Sequence, residues 1–536
     1  MMKNIPGDQR ESWTGQLGFI LASAGSAIGL GNVWKFPYIT GVNGGGAFVL
    51  VYLCCVILIG MPLMMCEFSL GRRTKKNPFG AFRELYPVRT PAAAMFGLAM
   101  LACAVALIAL GRSGMGVLLA LGGLAVLRWG WAAVGALGVV IPVLILSYYN
   151  VVGGWLMIYG FESLRGAPEL ASPDLAEKFF VSVADNWRYT LAGTAIFSCC
   201  SLVVVWFGVR KGIERASKIL MPLLFVMLIA LILRGVTLPG SEKGISFLLT
   251  PHFDRLTAAG VLEAVGHAFF TLSLGMGIIL TYGSYLPGDR NILSASAVIV
   301  GLDTLVALMA GLAIFPALFA AGMNPAAGSG LVFNIMPVTL HSFGDGLGTL
   351  WCVLLFGLIV IAALTSSISL LEVPVSFCID QFKWRRRTAV VTVFLTVITL
   401  SLASAASAAS WNHAPWLRAA SEWLLSGFEG MRDSFFTQLD VFCSSYLLPL
   451  SGLLTVLFVG YVWKTRNCLR ELRRGGDNYW DTNILILLAG LRGDGHLQER
   501  RYIYTLGVLF GLLIRIVAPL AIIVCFMNLV GWIKLT

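Results

Sequence analysis

The sequence predicts an all-α membrane protein of about eleven core transmembrane helices, with broken first and sixth helices and an extra apolar hairpin. Three observations carry this. Of 536 residues, 58% are hydrophobic and only 12% are charged, too little polar surface to coat a soluble domain. Runs such as Phe48 to Met65 and Ile219 to Leu233 approach the roughly 20 residues that cross a bilayer. They must be helices, because a spanning segment satisfies its own backbone groups, and they lack the alternation of a barrel strand. Finally, two spans are interrupted by glycine near their middles.

The core spans fall near 16–41, 46–71, 131–163, 191–208, 215–235, 262–286, 292–321, 348–382, 388–404, 436–463 and 503–532. Polar connections at 164–190, 236–261, 322–347 and 405–435 are expected outside. Residues 92–127, almost wholly apolar apart from Arg112, form an inserted hairpin with arms 92–111 and 114–127. The second arm is short for a span, which leaves a re-entrant and a membrane-surface reading equally open.

A net charge of +11 would suggest nucleic acid in a soluble protein. Here the basic residues sit in short connections: Arg72, Arg73, Lys75 and Lys76; Arg210, Lys211, Arg215 and Lys218; Lys383 with Arg385 to Arg387; Arg466 to Arg474. With a cytoplasmic N-terminus they all face the cytoplasm, as the positive-inside rule requires. The charge therefore reports a multi-pass inner-membrane topology and a lipid partner, with no nucleic acid. The 11 cysteines lie mostly in apolar segments and are assigned to packing. The first apolar segment follows Arg10, Glu11 and Trp13 without a small-residue cleavage pattern, so it is a helix and not a signal peptide.

The first interruption reads Gly25-Ser26-Ala27-Ile28-Gly29-Leu30-Gly31-Asn32, the second Phe270-Thr271-Leu272-Ser273-Leu274-Gly275-Met276-Gly277. Each glycine costs roughly 1 kcal/mol in a helix interior. Close packing explains small residues at four-residue spacing, yet not their alternation with hydroxyl and amide side chains. Paired interruptions at corresponding positions of two five-helix halves point to a transport site made from half-helices. Freed carbonyls suit a hard cation such as sodium. The exposed amides of the following half-helix suit a carboxylate. Asn32, Thr271, Thr365 and Ser366 can add side-chain oxygens.

GLGNVWKFPY (29–38), NGGGAF (43–48) and GMPLMMCEFSLGR (60–72) resemble the neurotransmitter:sodium symporter family. FFTLSLGMG (269–277), ALTSSIS (363–369), SYYN (147–150) and LLPLSGLL (447–454) extend the likeness along nearly the whole chain.

The resemblance implies inverted five-helix repeats (5+5) and alternating access coupled to two sodium ions. The domain plan becomes a cytoplasmic segment (1–15), a first repeat (16–235) carrying the hairpin, a second repeat (236–463), a cytoplasmic loop (464–501) and a C-terminal transmembrane helix (502–536). Sodium site one would use Ala27, Asn32, Thr271 and Asp303; site two, Gly25, Ile28, Ala362, Thr365 and Ser366. The substrate carboxylate would meet Leu30, Gly31 and Tyr149, and its ammonium Ala27, Phe270, Thr271 and Ser273. Ser366 borders this substrate site. Arg10 with Asp380 would form the inner gate, Lys35 with Asp440 the outer.

Monoamine-transporting members carry aspartate where this chain has Gly29, so the substrate here must bring its own carboxylate. The side-chain pocket, Ile145, Tyr149, Phe270, Met276 and Leu370, offers no charge, and a charged substrate would be left unpaired in it. A neutral, apolar or aromatic α-amino acid is expected. Asp303, where the family usually has asparagine, predicts transport that does not require chloride. His267 replaces a family glutamine near the outer vestibule and is read as neutral and hydrogen-bonded. Glu67 is read as a brace for the breaks, and Glu372 is left without a partner. A membrane sensor on the same fold is the alternative. With no zinc-type histidine cluster, nucleophile elbow or P-loop, an enzyme has no chemistry to run.

Overall fold

The computed structural model describes residues 10–86, 91–109, 112–166, 172–325, 330–342, 347–408, 416, 419–420, 422–423, 435–475, 480 and 505–529. Among these, the secondary structure is helical throughout. The first span is α1 (Gln16–Ala27) and α2 (Gly31–Val42), bent by 47° at the break. It is followed by α3 (Gly46–Thr74), a short α4 (Pro78–Leu85), the hairpin α5 (Pro91–Ala109) and α6 (Ser113–Trp129), and α7 (Ala132–Leu164). Next come α8 (Pro173–Asp185), α9 (Trp187–Trp206), α10 (Val209–Val236) and α11 (Ser241–Leu249). The sixth span is α12 (Ala258–Thr271) and α13 (Ile278–Ser284). The remainder is α14 (Ile292–Ala320), α15 (Leu331–His341), α16 (Gly348–Phe382), α17 (Arg386–Ser407), α18 (Phe436–Val462), α19 (Thr465–Leu472) and α20 (Leu506–Asn528).

Helix boundaries follow local chemistry. Asn77, Asn186, Thr257 and Asn291 each accept a hydrogen bond from an amide of the turn they open, which satisfies donors the helix itself cannot. Pro78, just inside α4, has no amide to lose there. Proline interrupts the longer spans at Pro142, Pro222, Pro316 and Pro374.

Among the described residues, nine continuous helices are long and apolar enough to cross a bilayer, ten with the bent α1–α2 pair; α12 and α13, shorter, occupy the sixth of the eleven expected spans. The hairpin is a pair of packed antiparallel helices, and Leu118 near its tip touches a cluster around Tyr446, Phe442 and Phe526 of α18 and α20. Its arms contact through small residues, Gly97 lying against Gly123. The connections expected as polar loops also fold: α8, α11 and α15 pack their apolar faces back on the bundle. The domain plan's 476–479, 481–504 and 530–536 lie outside the described residues, as do 1–9.

Below the bundle, α19 is fastened to the end of α3. Arg72 donates to Glu471 at 2.8 Å, both side chains almost fully buried, and to the carbonyls of Arg290 and Arg474. Lys75 reaches the carbonyl of Leu286. Outside the membrane span, burial beside Arg72 pushes the Lys75 ammonium down to about 8. Breaking a buried pair by removing one partner costs about 3–5 kcal/mol. Glu471→Ala should lower the thermal unfolding midpoint of detergent-purified protein sharply, whereas Arg470→Gln on the exposed face should leave it unchanged. Equal midpoints for the two would refute a structural role for this pair.

Candidate functional site

The two breaks face each other at the centre of the bundle. After Ala27, Ile28 adopts an extended conformation (φ −74, ψ 95) and its amide closes the last turn on Ala24. The next two amides are diverted to side chains: Gly29 donates to Asn32 Oδ1 at 3.1 Å, and Leu30 to the Tyr149 hydroxyl at 3.5 Å. Those amides would otherwise bond the carbonyls four residues earlier. The Gly25 and Ser26 carbonyls are thereby released from the ladder. The Ser26 carbonyl accepts from the hydroxyls of Ser273 (2.9 Å) and Ser366 (3.1 Å), while the Ser26 hydroxyl pairs with Ser369 at 2.7 Å.

In the second break, Ser273, Gly275 and Gly277 all take positive φ (55°, 76° and 71°), a conformation costly for residues with a β-carbon. A β-carbon on Gly275 would also lie 2.7 Å from the Leu448 carbonyl, so only glycine fits there. Its amide donates to Glu67 Oε1 at 2.8 Å. Glu67 thus braces the break, as expected.

Asp303, wholly buried, receives three donors. Asn32 Nδ2 reaches Oδ1 at 2.8 Å, Thr271 Oγ1 reaches it at 3.0 Å, and the Tyr52 hydroxyl reaches Oδ2 at 3.3 Å. Asn32 and Thr271 come from the two breaks, so one carboxylate of α14 ties both together. A hydrogen-bonded but uncompensated carboxylate at membrane depth marks a place for a cation. Of the residues expected to line the substrate site, Ala27, Ile145, Tyr149, Met276 and Leu370 are buried and Phe270 is half-buried. Gly31 sits against the Phe270 ring. On the other side of the break, Gly25 approaches Thr365. The Thr365 hydroxyl bonds back to the carbonyls of Ile361 and Ala362, leaving its lone pairs available. At Gly29 a β-carbon would collide with Ser366 Oγ and lie 3.3 Å from the Tyr149 hydroxyl.

The inner end is closed. Arg10 Nη1 meets Asp380 Oδ2 at 2.5 Å, and that oxygen also accepts from the amide and side chain of Asn77 (2.8 and 2.9 Å). Glu372, unassigned from the sequence, holds Arg386 at 2.5 Å and the Tyr285 hydroxyl at 2.7 Å. At the outer end the expected pair is not made in this conformation. Lys35 Nζ instead lies 4.8 Å over the Phe270 ring, and Asp440 faces Tyr38 and Tyr148. His267 differs as well. It is buried against Phe36 and Tyr52, with ring centroids at 5.9 and 5.4 Å, and neither nitrogen has a hydrogen-bond partner among the described residues. Stacking, and not hydrogen bonding, holds it. Sequence reasoning missed Tyr52, Ser26, Ser369 and Phe333. The last, on α15, packs against Trp34, Tyr159 and Phe180.

A model described as the sodium:neurotransmitter symporter family matches residues 10–109 and 182–412. The chain is 34% identical over 523 residues to YhdH, an uncharacterized sodium-dependent transporter of Bacillus subtilis, covering 97% of each. It is 31% identical to a sodium-dependent transporter of Haemophilus influenzae, over 85% of this chain and 90% of that protein. Among solved structures, MhsT in complex with L-phenylalanine is 35% identical, with a TM-score of 0.74 over 97% of this chain and 100% of that one.

Two glycine substitutions separate the break from ordinary helix. Gly275→Ala should destabilise by about 1–3 kcal/mol, read as a lower unfolding midpoint. Gly266→Ala, in α12 with open space at its β position, should be neutral or slightly stabilising, by about 0.4–1 kcal/mol. Equal midpoints for both would refute the strained break.

Proposed function

Since the chain belongs to the sodium:neurotransmitter symporter family, we propose that it carries a neutral, apolar or aromatic α-amino acid inward with sodium by alternating access. The observation that carries this reading is the convergence of both breaks on buried Asp303. Sodium enters here as a co-transported substrate. The donor set suits it: carbonyls of Ala27 and Thr271, the Thr271 hydroxyl, the Asn32 amide oxygen and the Asp303 carboxylate are all hard oxygens. When sodium binds, the Asn32 and Thr271 oxygens turn toward it, in exchange for their present partners. A second sodium fits between the released Gly25 carbonyl, Ile28, Ala362 and the hydroxyls of Thr365 and Ser366.

The substrate carboxylate is assigned to the amides of Leu30 and Gly31 and the Tyr149 hydroxyl, at the start of α2 where orphan donors favour an anion. The ammonium falls to Ala27, Phe270, Thr271 and Ser273. Because the space beside Gly29 is filled by Ser366 and Tyr149, there is no room for a protein carboxylate that would pair an amine alone. Ile145, Tyr149, Phe270, Met276 and Leu370 receive the side chain, and MhsT, a relative solved with L-phenylalanine, supports an aromatic or apolar one. Asp303 supplies a negative charge beside the first sodium, so chloride is not needed. The halves 16–235 and 236–463 act as inverted repeats, with the N-terminus in the cytoplasm of an inner membrane. The closed Arg10–Asp380 pair favours a working transport cycle over a sensor.

Purified protein in liposomes, given an inward sodium gradient, should accumulate labelled L-phenylalanine above equilibrium. Saturable binding without accumulation would sink the transport reading. Replacing chloride by gluconate should leave uptake unchanged, and its disappearance would refute the role given to Asp303. Asp303→Asn should weaken sodium-dependent substrate binding by about 10-fold or more, equivalent to about 1.4 kcal/mol, measured by scintillation proximity across a sodium titration.

A further inference from the structure

Between α9 and α10, away from the transport site, lies an open groove of 660 Å³ with a wholly apolar lining. Ile196, Cys199 and Val203 form one wall, Ile219 and Leu220 the other, with Leu364 of α16 behind. Ile196, Cys199, Val203 and Ile219 are exposed, and in a spanning helix pair that exposure is to hydrocarbon.

The basic end of this groove has more cations than partners. The carboxylates nearby are taken: Glu214 holds Lys218 and Thr14, Glu372 holds Arg386, and Glu11 caps the amide of Val209. Arg210 is spent on Ser12. Lys211 and Arg215, exposed, precede Ile219 at four-residue steps and so continue its row down α10. On the α9 side, exposed Arg387 lies 5.6 Å over the ring of Trp206, one turn beyond Val203. Neither Lys211, Arg215 nor Arg387 meets a carboxylate among the described residues. Trp206 marks the level of the membrane interface, where amphipathic rings collect.

We propose that this groove is a binding site for an anionic glycerophospholipid. One acyl chain lies between α9 and α10, and the phosphate is held by Lys211 and Arg215, with Arg387 closing the opposite side. An uncharged headgroup would leave the three cations unanswered; a soluble anion would leave the apolar groove unfilled. Basic clusters at this depth attract anionic lipid, and the groove adds a fixed seat for its tail. The site borders the turn where Glu214 clasps Thr14 of the N-terminal segment, so a lipid seated there would brace the inner end of α10.

The full-length protein, delipidated in detergent and reloaded with phosphatidylglycerol or phosphatidylcholine of matched chains, would be examined by native mass spectrometry. Phosphatidylglycerol should be retained on the order of 10-fold more strongly. Lys211→Gln/Arg215→Gln should bring it down to the phosphatidylcholine level, while Lys383→Gln/Arg385→Gln, an equal charge loss off the groove, should not. Ile219→Trp, which fills the groove and keeps the charges, should also release it. In the unaltered protein, bound phosphatidylglycerol should protect the Cys199 thiol from a bulky maleimide. Equal retention of the two lipids, or equal loss in both double variants, overturns the site in favour of general surface charge.

Discussion

Every backbone amide and carbonyl inside a bilayer needs a partner, since no water is there to supply one. The structure depends on how it meets that constraint at two places where its helices stop. Three opened amides find side chains: Gly29 finds Asn32, Leu30 finds Tyr149, and Gly275 finds Glu67. The Ser26 carbonyl finds Ser273 and Ser366. Those partners come from α7, α3, α16 and the breaks themselves, so satisfying two short segments fixes the relative positions of five spans.

Charge is handled by the same logic. Each buried carboxylate has its own set of donors: backbone amide for Glu67, hydroxyls and an amide side chain for Asp303, arginine and tyrosine for Glu372. Of these three, Glu372 is compensated by a full positive charge, as Glu471 is by Arg72 and Glu214 by Lys218. Glu372 is thus ion-paired with Arg386, beside the Arg10–Asp380 pair, whereas Asp303 is met by neutral donors alone.

Legibility in the sequence followed the range of the interaction. The broken helices could be read because glycine and hydroxyl residues depart locally from an otherwise apolar run. Asp303 was legible as an ionisable residue within a span, where such groups carry function; the brace at Glu67 and the Arg10–Asp380 pair came from the family resemblance. Tyr52 gave no signal: an aromatic residue in an apolar helix reads as packing until its hydroxyl is found at Asp303. Phe333 was hidden for the opposite reason, since it lies in a stretch that looks like a loop and meets Trp34 and Tyr159 only when α15 folds. Lys35 was expected at Asp440 and instead stacks on Phe270; a flexible ammonium takes whichever partner the present conformation brings near.

The sequence by itself determined the solvent, the number of spans and where two of them break, because hydropathy and glycine act on the chain locally. It also determined the chemistry at the breaks, as residue types suited to a hard cation and a carboxylate. Tertiary structure alone decided which oxygens converge on Asp303, which arginine answers Glu372, and that Leu118 of the hairpin meets the cluster around Tyr446. Those outcomes depend on contacts between segments hundreds of residues apart, fixed by shape and packing across the bundle, which no periodicity within a single helix encodes.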